Sequence, residues 1–373
     1  MRVSFLSENI NKKISFVNHA VSNRSSLPVL LNLLLLAKKG KFFISATDLE
    51  IGIEINIPAS IEEEGGITVP AKTFHELLGN IPKGKIVLYT KNNSLFFETD
   101  KIKTVFQTIS PEEFPKIYDE KGDKIATIDS KTLESDLPKV VLAASQDSGR
   151  PALSGVLIKK EERGGDFLIV ATDGYRLSLK KGWGGEKQVG KKDHGFLLVP
   201  ARLIRELVSV KDWAKDIGVY SSAGNNQILF FLEDAVLAGR LIEAEFPNYE
   251  KIIPSDFSTR AIIEKEGFQK AVKTCSIFAR ESANIVKLSL EKGKIVISAS
   301  APSLGETSIE VDAVIEGEEN EIAFNARYLL EFLASVGSEK IIFEMTGPLT
   351  PGVFKLDDDK DFLHIIMPIR IQG

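Results

Sequence analysis

Apolar residues recur along this chain in two rhythms, one of helical and one of strand spacing, and the order of the rhythms repeats three times. Ile10, Ile14, Val17 and Val21 fall at helical spacing behind Ser7, a residue type that caps helix starts. Strand-like runs follow at Val29–Ala37, Phe42–Ala46 and Ile51–Ile57. Pro70 then suits the first turn of a second helix carrying Phe74, Leu77 and Leu78. Strands at Ile86–Thr90, Ser94–Glu98 and Thr104–Ile109 complete the unit, with Asn92-Asn93 as a hairpin turn. The second unit starts near Ile128, with Leu133, Leu137, Val140 and Val141 on a helix that Pro138 should kink or interrupt. Its strands run Leu153–Lys159, Phe167–Ala171 and Arg176–Lys180, followed by a polar glycine-rich loop at Gly182–Gly190. Pro200 opens its second helix, with Leu203, Ile204, Leu207 and Val210 inward. The third unit starts near Thr259. Its first helix places Phe268, Val272, Cys275 and Ala279 on one side, and Asn325 caps a second that buries Leu329, Leu330 and Leu333.

Short sequences recur in step with the pattern. Val69-Pro70-Ala71-Lys72, Val199-Pro200-Ala201-Arg202 and Phe324-Asn325-Ala326-Arg327 each open the second helix of a unit, at separations of about 125–130 residues. Ala46-Thr47-Asp48 returns as Ala171-Thr172-Asp173, and Glu113-Phe114-Pro115 as Glu245-Phe246-Pro247. Solenoid repeats have periods of roughly 20–50 residues, so this spacing indicates duplication of a whole domain. The expected architecture is α+β, with three similar domains at 1–122, 123–254 and 255–373. The boundaries fall in the charged stretch Tyr118–Lys124 and the turn Pro254–Ser258.

Composition narrows the function classes. Hydrophobic residues make up 43% and charged residues 27%, which fits a folded soluble protein. The single cysteine, Cys275, excludes an intramolecular disulfide framework and an all-cysteine zinc site, and it suits a reducing cytoplasm. The N-x-S sequons at Asn23 and Asn92 then read as chance. The opening residues lack an apolar signal core, and the longest greasy run, Val29–Ala37, is too short to span a bilayer, so no membrane partner is expected.

A net charge of −5 argues against gripping nucleic acid over the whole surface. The distribution of charge says more. Away from the apolar stripes of the helices lie Lys12, Lys13, Lys72, Lys139, Arg202, Arg205, Lys270, Lys273, Arg280 and Arg327. Arg202 and Arg205, like Lys270 and Lys273, are three apart and share a helix face. Negative charge gathers elsewhere, at Glu62–Glu64, Glu316–Glu321 and Asp357–Asp361. An acidic protein with selectively basic helices can hold nucleic acid on one surface and repel it from the rest.

Signs of catalysis are weak. The four histidines, His19, His75, His194 and His364, are scattered with no H-E-x-x-H spacing. The segment Gly182–Lys187 lacks the spacing and the Lys-Ser/Thr ending of a phosphate-binding loop. Asp357–Asp361 lacks the glycine and terminal glutamate of a calcium loop and reads as a solvated hairpin tip. No cofactor or metal is expected. A protein-binding scaffold would account for the repeats but leave the basic helices unexplained.

Six segments carry a family resemblance: Ser25-Ser26-Leu27-Pro28-Val29-Leu30, Ala46-Thr47-Asp48-Leu49-Glu50, Val69-Pro70-Ala71-Lys72, Ala171-Thr172-Asp173-Gly174-Tyr175-Arg176-Leu177, Phe246-Pro247-Asn248-Tyr249 and Met367-Pro368-Ile369-Arg370-Ile371. In this order and spacing, over the full length, the chain resembles the beta subunit of bacterial DNA polymerase III, the replicative sliding clamp family. The resemblance implies three clamp domains per chain, each with two helices packed on antiparallel sheets. It implies a head-to-tail homodimeric ring whose helices line a hole for duplex DNA. The implied role is a processivity factor without catalytic activity, whose partners are the polymerase alpha subunit, the clamp loader, and other polymerases and repair proteins.

The same resemblance adds Arg24 and the segment Gln146–Arg150, with Gln146 and Arg150 themselves, to the DNA-contacting set. It implies a pocket for a short partner peptide built from Leu153, Thr172, Gly174, Tyr175, Arg176, Leu177, Pro247, Ile252, Ile365, Met367, Pro368, Ile369 and Arg370. Leu, Ile, Pro and Met would form an apolar cleft, with Arg176 and Arg370 offering donors to peptide carbonyls. The dimer joint would use the strand Lys103–Ile109, with Phe106 inward, together with Ile277 and Phe278. Three departures stand out from the family pattern. Gln372-Gly373 extends the tail, Lys251 stands where arginine is frequent, and Glu243-Ala244-Glu245 replaces a glycine-containing turn.

Overall fold

Each of the three repeats folds as one recurring order of elements: strand, helix, several strands, helix, three strands. In the computed structural model, the described residues are 1–118, 120–129, 131–147, 149–161, 167–183, 196–210, 216–224 and 226–370. The first repeat runs β1 (Arg2–Leu6), α1 (Ser7–Asn18), β2 (Asn32–Lys38), β3 (Lys41–Thr47), β4 (Ile51–Ile57), β5 (Ser60–Glu63), β6 (Gly65–Pro70), α2 (Ala71–Asn80), β7 (Lys85–Lys91), β8 (Ser94–Glu98) and β9 (Lys103–Gln107). The second runs β10 (Lys121–Ile128), α3 (Leu137–Val141), β11 (Gly155–Lys160), β12 (Phe167–Thr172), β13 (Arg176–Trp183), β14 (Phe196–Pro200), α4 (Ala201–Ser209), β15 (Ile217–Ser222), β16 (Gln227–Phe231) and β17 (Ala235–Arg240). The third runs β18 (Thr259–Glu264), α5 (Lys265–Ala279), β19 (Ile285–Glu291), β20 (Lys294–Ala301), β21 (Gly305–Gly317), β22 (Asn320–Asn325), α6 (Ala326–Ser335), β23 (Lys340–Met345), β24 (Gly352–Leu356) and β25 (Phe362–Ile366).

Contacts group the chain into two compact units, one built on residues 1–130 and 205–241, the other on 131–186, 194–204 and 242–373. The first unit holds a five-stranded sheet, β5-β1-β7-β8-β9, and an eight-stranded sheet, β10-β15-β16-β17-β4-β3-β2-β6. In the latter, β4 of the first repeat pairs antiparallel with β17 of the second, Ile53 opposite Leu237. Helices α1 and α2 pack on each other and on these strands. Phe74 of α2 meets Phe97 and Phe106 edge-on, at ring separations of 6.2 and 5.9 Å.

The second unit holds a twelve-stranded sheet, β14-β11-β12-β13-β25-β24-β23-β18-β21-β20-β19-β22. Here β13 of the second repeat pairs antiparallel with β25 of the third, Leu179 opposite Leu363. The deepest packing is aromatic: Phe332 of α6 is fully buried together with Phe324, Phe343, Phe354 and Phe362. Burying such a side chain contributes about 1.5–3 kcal/mol, so this cluster carries much of the unit's stability.

Local chemistry explains where the elements begin. Glu264 caps α5 by accepting from the amides of Glu266 and Gly267, and Asn325 caps α6 from the amide of Arg327 at 2.9 Å, as expected. Asn92 and Asn93 both take positive φ, the conformation a two-residue hairpin turn needs. Pro138 distorts its helix without breaking it: a π turn at Thr132–Asp136 runs directly into a short α3 that contains the proline.

Other expectations need correction. Ser7 is not a cap. It lies inside α1, and its hydroxyl accepts from Gly84 N at 3.1 Å, tying the helix start to a loop. Val21 lies beyond the end of α1, and Leu77 and Leu330 are only partly buried. The run Val29–Ala37 divides into a 3-10 turn, Pro28–Leu31, and the strand β2, because Pro28 favours a helical first turn. Pro151–Ser154 forms the matching 3-10 turn before β11, so that strand starts at Gly155 and not at Leu153. Most of the glycine-rich loop, at 184–190, lies outside the described residues.

Candidate peptide pocket and nucleic-acid face

The recurring Ala-Thr-Asp triplet is a piece of turn chemistry. In the first copy, Thr47 Oγ1 donates to Ile51 O at 2.8 Å and accepts from Leu49 N, while Asp48 Oδ1 accepts from Glu50 N and Ile51 N. In the second, Thr172 Oγ1 donates to Arg176 O at 2.7 Å and accepts from Gly174 N, while Asp173 Oδ1 accepts from Tyr175 N and Arg176 N. Short side chains that bond their own backbone hold such loops without outside help. Each loop requires one positive φ, supplied by Gly174 at 91° and, against its steric preference, by Leu49 at 77°.

The second loop presents five of the thirteen residues assigned to the peptide pocket: Thr172, Gly174, Tyr175, Arg176 and Leu177. Leu177 and Ile365 face each other across the β13–β25 pair and lie 2% and 1% exposed. They form a floor with Tyr249 and Val353, two residues that the sequence reasoning did not include. Tyr249 was visible only as part of the Phe-Pro-Asn-Tyr segment, and Val353 has no local signal. Met367, Pro368, Ile369, Ile252 and Leu153 are half-buried, and Tyr175, Gly174, Pro247 and Arg370 are exposed. Beyond β25 the tail is held by two backbone bonds, Met367 N to Tyr175 O and Ile369 N to Ala323 O, both 2.8 Å. Gln372 and Gly373 lie outside the described residues.

Arg176 differs from expectation. It is 8% exposed, and two of its donors are engaged within the protein. Its Nε donates to Asp173 Oδ2 at 3.0 Å and its Nη1 to Glu331 Oε2 at 2.5 Å, and its guanidinium lies 4.6 Å from the centre of the Tyr328 ring. Glu331 in turn accepts from Arg327 Nε at 2.6 Å. Burial alone would push the Glu331 carboxyl up; the bonds from Arg327 and Arg176 outweigh it and hold the group below the usual carboxylate range. The spacing of Arg327 and Glu331, four apart on α6, was the available sequence signal.

The equivalent place in the first repeat is closed. Gly52 opposes Ala238 where Leu177 opposes Ile365. Ile117 lies over Gly52 so closely that an added Cβ would fall 2.1 Å from its Cγ2.

The expected phosphate-contacting cations divide. In the first unit, Arg24 and Lys72 are exposed and Arg205 is half-buried, while the side chain of Lys12 lies outside the described residues. Lys13 is paired with Asp234 at 2.8 Å. In the second unit, Gln146, Arg150, Lys270, Lys273, Arg280 and Arg327 are exposed and Arg202 is half-buried. Lys270 pairs with Glu266 on its own helix, and Arg150 pairs loosely with Asp147 at 3.7 Å.

Lys139 does not fit the set. It is 8% exposed, and its ammonium sits 3.2 Å from Asp359 and 3.6 Å from Asp136. Asp359 also receives Lys180 at 2.8 Å. The acidic run is thus more than a solvated tip, because Asp359 is inserted between two lysines that hold its carboxyl low against the effect of burial.

The joint residues divide too. Phe106 is buried at 5% and packs on Phe74 of its own unit, so it supports β9 from behind. Val105 on the same strand is 51% exposed, as is Ile277 at 55%, and Phe278 is half-buried. Strand β9 ends its sheet, pairing only with β8 among the described residues. The Gly305–Asp312 half of β21 pairs only with β20 among the described residues. By element order β9 corresponds to β17 and β25, and β21 to β4 and β13. The two internal joints therefore join the same pair of elements that stays open at β9 and β21.

Comparison with known proteins agrees along the whole length. Residues 1–118, 127–248 and 250–370 match the N-terminal, central and C-terminal domains of the DNA polymerase III beta subunit. A beta sliding clamp of Synechococcus elongatus is 28% identical over 373 residues, covering 98% of each chain. One from Staphylococcus epidermidis is 26% identical, covering 94% of each. Among solved structures, the beta subunit of Thermotoga maritima superposes with a TM-score of 0.88 at 26% identity. The DNA polymerase sliding clamp of Bacillus subtilis does so with 0.92 at 25%, and both matches cover each chain completely. With its three repeats, its paired joints and these matches in every third of the sequence, the chain belongs to the family of bacterial DNA polymerase III beta subunits, the beta sliding clamps.

Proposed function

We propose that this chain is a DNA sliding clamp that works as a processivity factor. Two copies close head to tail into a ring around duplex DNA and tether the replicative polymerase. The observation that carries the reading is the unmatched pair of strand edges. Open edges are hazardous in a monomer, and β9 of one copy is suited to pair with the first half of β21 of another as β17 pairs with β4 and β25 with β13. Exposed Ile277 and Val105 give that joint an apolar contribution. Domain boundaries near 122 and 254 place one copy of the repeat in each domain.

Retention on DNA is then topological, and contacts from Arg24, Lys72, Lys273, Arg280 and Arg327 need only be transient, salt-sensitive and aimed at phosphates. Tight base readout would oppose sliding. The polymerase alpha subunit, the clamp loader and other replication and repair proteins dock short apolar motifs over the Leu177–Ile365 floor, between the rim residues Tyr175, Pro247 and Met367. The chain itself catalyses nothing and acts in the cytoplasm. Among the described residues, no helix is long and apolar enough to cross a membrane.

Loading onto DNA tests the reading. Once placed by a clamp loader on a nicked circle, the protein should stay bound through gel filtration and run off when the circle is cut. Equal retention on circular and linear DNA would overturn the topological mechanism.

A further inference from the structure

The apolar floor of the pocket continues along the sheet. Leu177, Leu179 and Lys181 alternate onto one face of β13. Register places Val170 beside Leu179 and Leu157, and Leu168 beside Lys159. The apolar strip thus runs from Leu177 past Leu179 to Leu168 and ends at two lysines. There it opens into a groove of about 680 Å³, lined by Leu168 and Leu179 on the sheet, Tyr249 and Ile253 opposite, and Lys159 and Lys181 at the end. A volume in the ~300–1,000 Å³ range holds a ligand segment.

The charges favour a peptide over nucleic acid. Lys159, Lys160 and Lys181 outnumber Glu161 and Glu250 by one, a small positive excess that suits one or two carboxylates and not a long run of phosphates. Lys159 meets Glu250 only loosely, at 3.7 Å with both side chains largely in solvent, so a carboxylate brought by a partner can exchange into that place. Phe196, opposite Lys159 in the register and 55% exposed, adds an apolar edge. Tyr249, pushed up to about 12 by burial and by neighbouring Glu250, stays a protonated hydroxyl at neutral pH.

We propose that this groove is a second docking subsite, which takes the acidic flank of the same partner peptide whose apolar anchor enters over Leu177 and Ile365. The proposal rests on the pocket reading above. From Leu177 to Lys181 is four residues of strand, about 13 Å at ~3.3 Å per residue, so the carboxylates belong four or five positions from the anchor. Two or three rim ion pairs of ordinary strength raise affinity about five- to tenfold.

The test uses the full chain and four peptides sharing one Leu/Phe-containing core: the core alone, a neutral extension, and a two-glutamate extension on either the N- or the C-terminal side. Calorimetric titration at low salt should show one acidic peptide binding about five- to tenfold tighter than the core. That gain should vanish at high salt and in the Lys159→Glu/Lys181→Glu protein, which still binds the core unchanged. Equal affinity for all four peptides overturns the subsite and leaves the pocket standing. A gain that survives the double substitution also overturns it. Failure of the core itself to bind removes pocket and subsite together.

Discussion

His364 shows what one buried side chain does to the whole protein. It is fully buried, stacked on Phe332 with ring centres 4.7 Å apart, and its Nδ1 meets Ser178 Oγ at 2.7 Å, while its Nε2 has no hydrogen-bond partner among the described residues. Burial, helped by the nearby Arg176 charge, lowers its pKa to about 3 from an ordinary 6.5. Between these values the unfolded chain binds a proton that the folded chain does not. Stability from this group is therefore complete above pH 6.5 and is lost as the pH falls toward 3. Urea titrations should show a decline from pH 6.5 to 5 of up to ~1.4 kcal/mol per pH unit, before the carboxylates take protons. A flat profile over that interval would contradict the assigned burial. At this scale the sequence was least legible. Lys139, Phe106 and Arg176 occupy the right elements, but whether a lysine at helix spacing meets solvent or Asp359, over two hundred residues away, is decided by the tertiary fold.

At the scale of elements the sequence was far more transparent, because capping, turn chemistry and periodicity act over a few residues. Asn325, Pro138 and Asn92-Asn93 did what their chemistry requires. The Thr-Asp loops were recognised as repeats, and the reason for their recurrence is that each side chain satisfies its own turn. The run Val29–Ala37 hides its turn because nearly every residue in it is apolar, so the sequence carries no period to distinguish turn from strand. The closed first joint gives a prediction at this scale. Gly52→Ala should cost about 1–3 kcal/mol through overpacking on Ile117. In an Ile117→Ala background the same change should cost less than half as much, which a double-mutant cycle in urea would measure.

For the whole molecule, the repeat did most of the explaining. One joint design is used within the chain at β4–β17 and at β13–β25, and the leftover edges specify what a second copy must supply. Ile277→Glu should therefore shift the protein from dimer to monomer mass in sedimentation at micromolar concentration while leaving peptide binding intact, since α5, which carries Ile277, packs mainly on α6 and β19–β21. Loss of peptide binding together with the dimer would mean that the two sites are not separable. The plug formed by Ile117 over Gly52 has a wider consequence. On the pocket reading proposed above, duplication of the domain would by itself have duplicated the docking place, and the plug withholds one of them. Each chain then has a valence of one and a ring of two chains a valence of two, so any third partner must wait for a place. The order in which they take over is governed by how quickly each lets go.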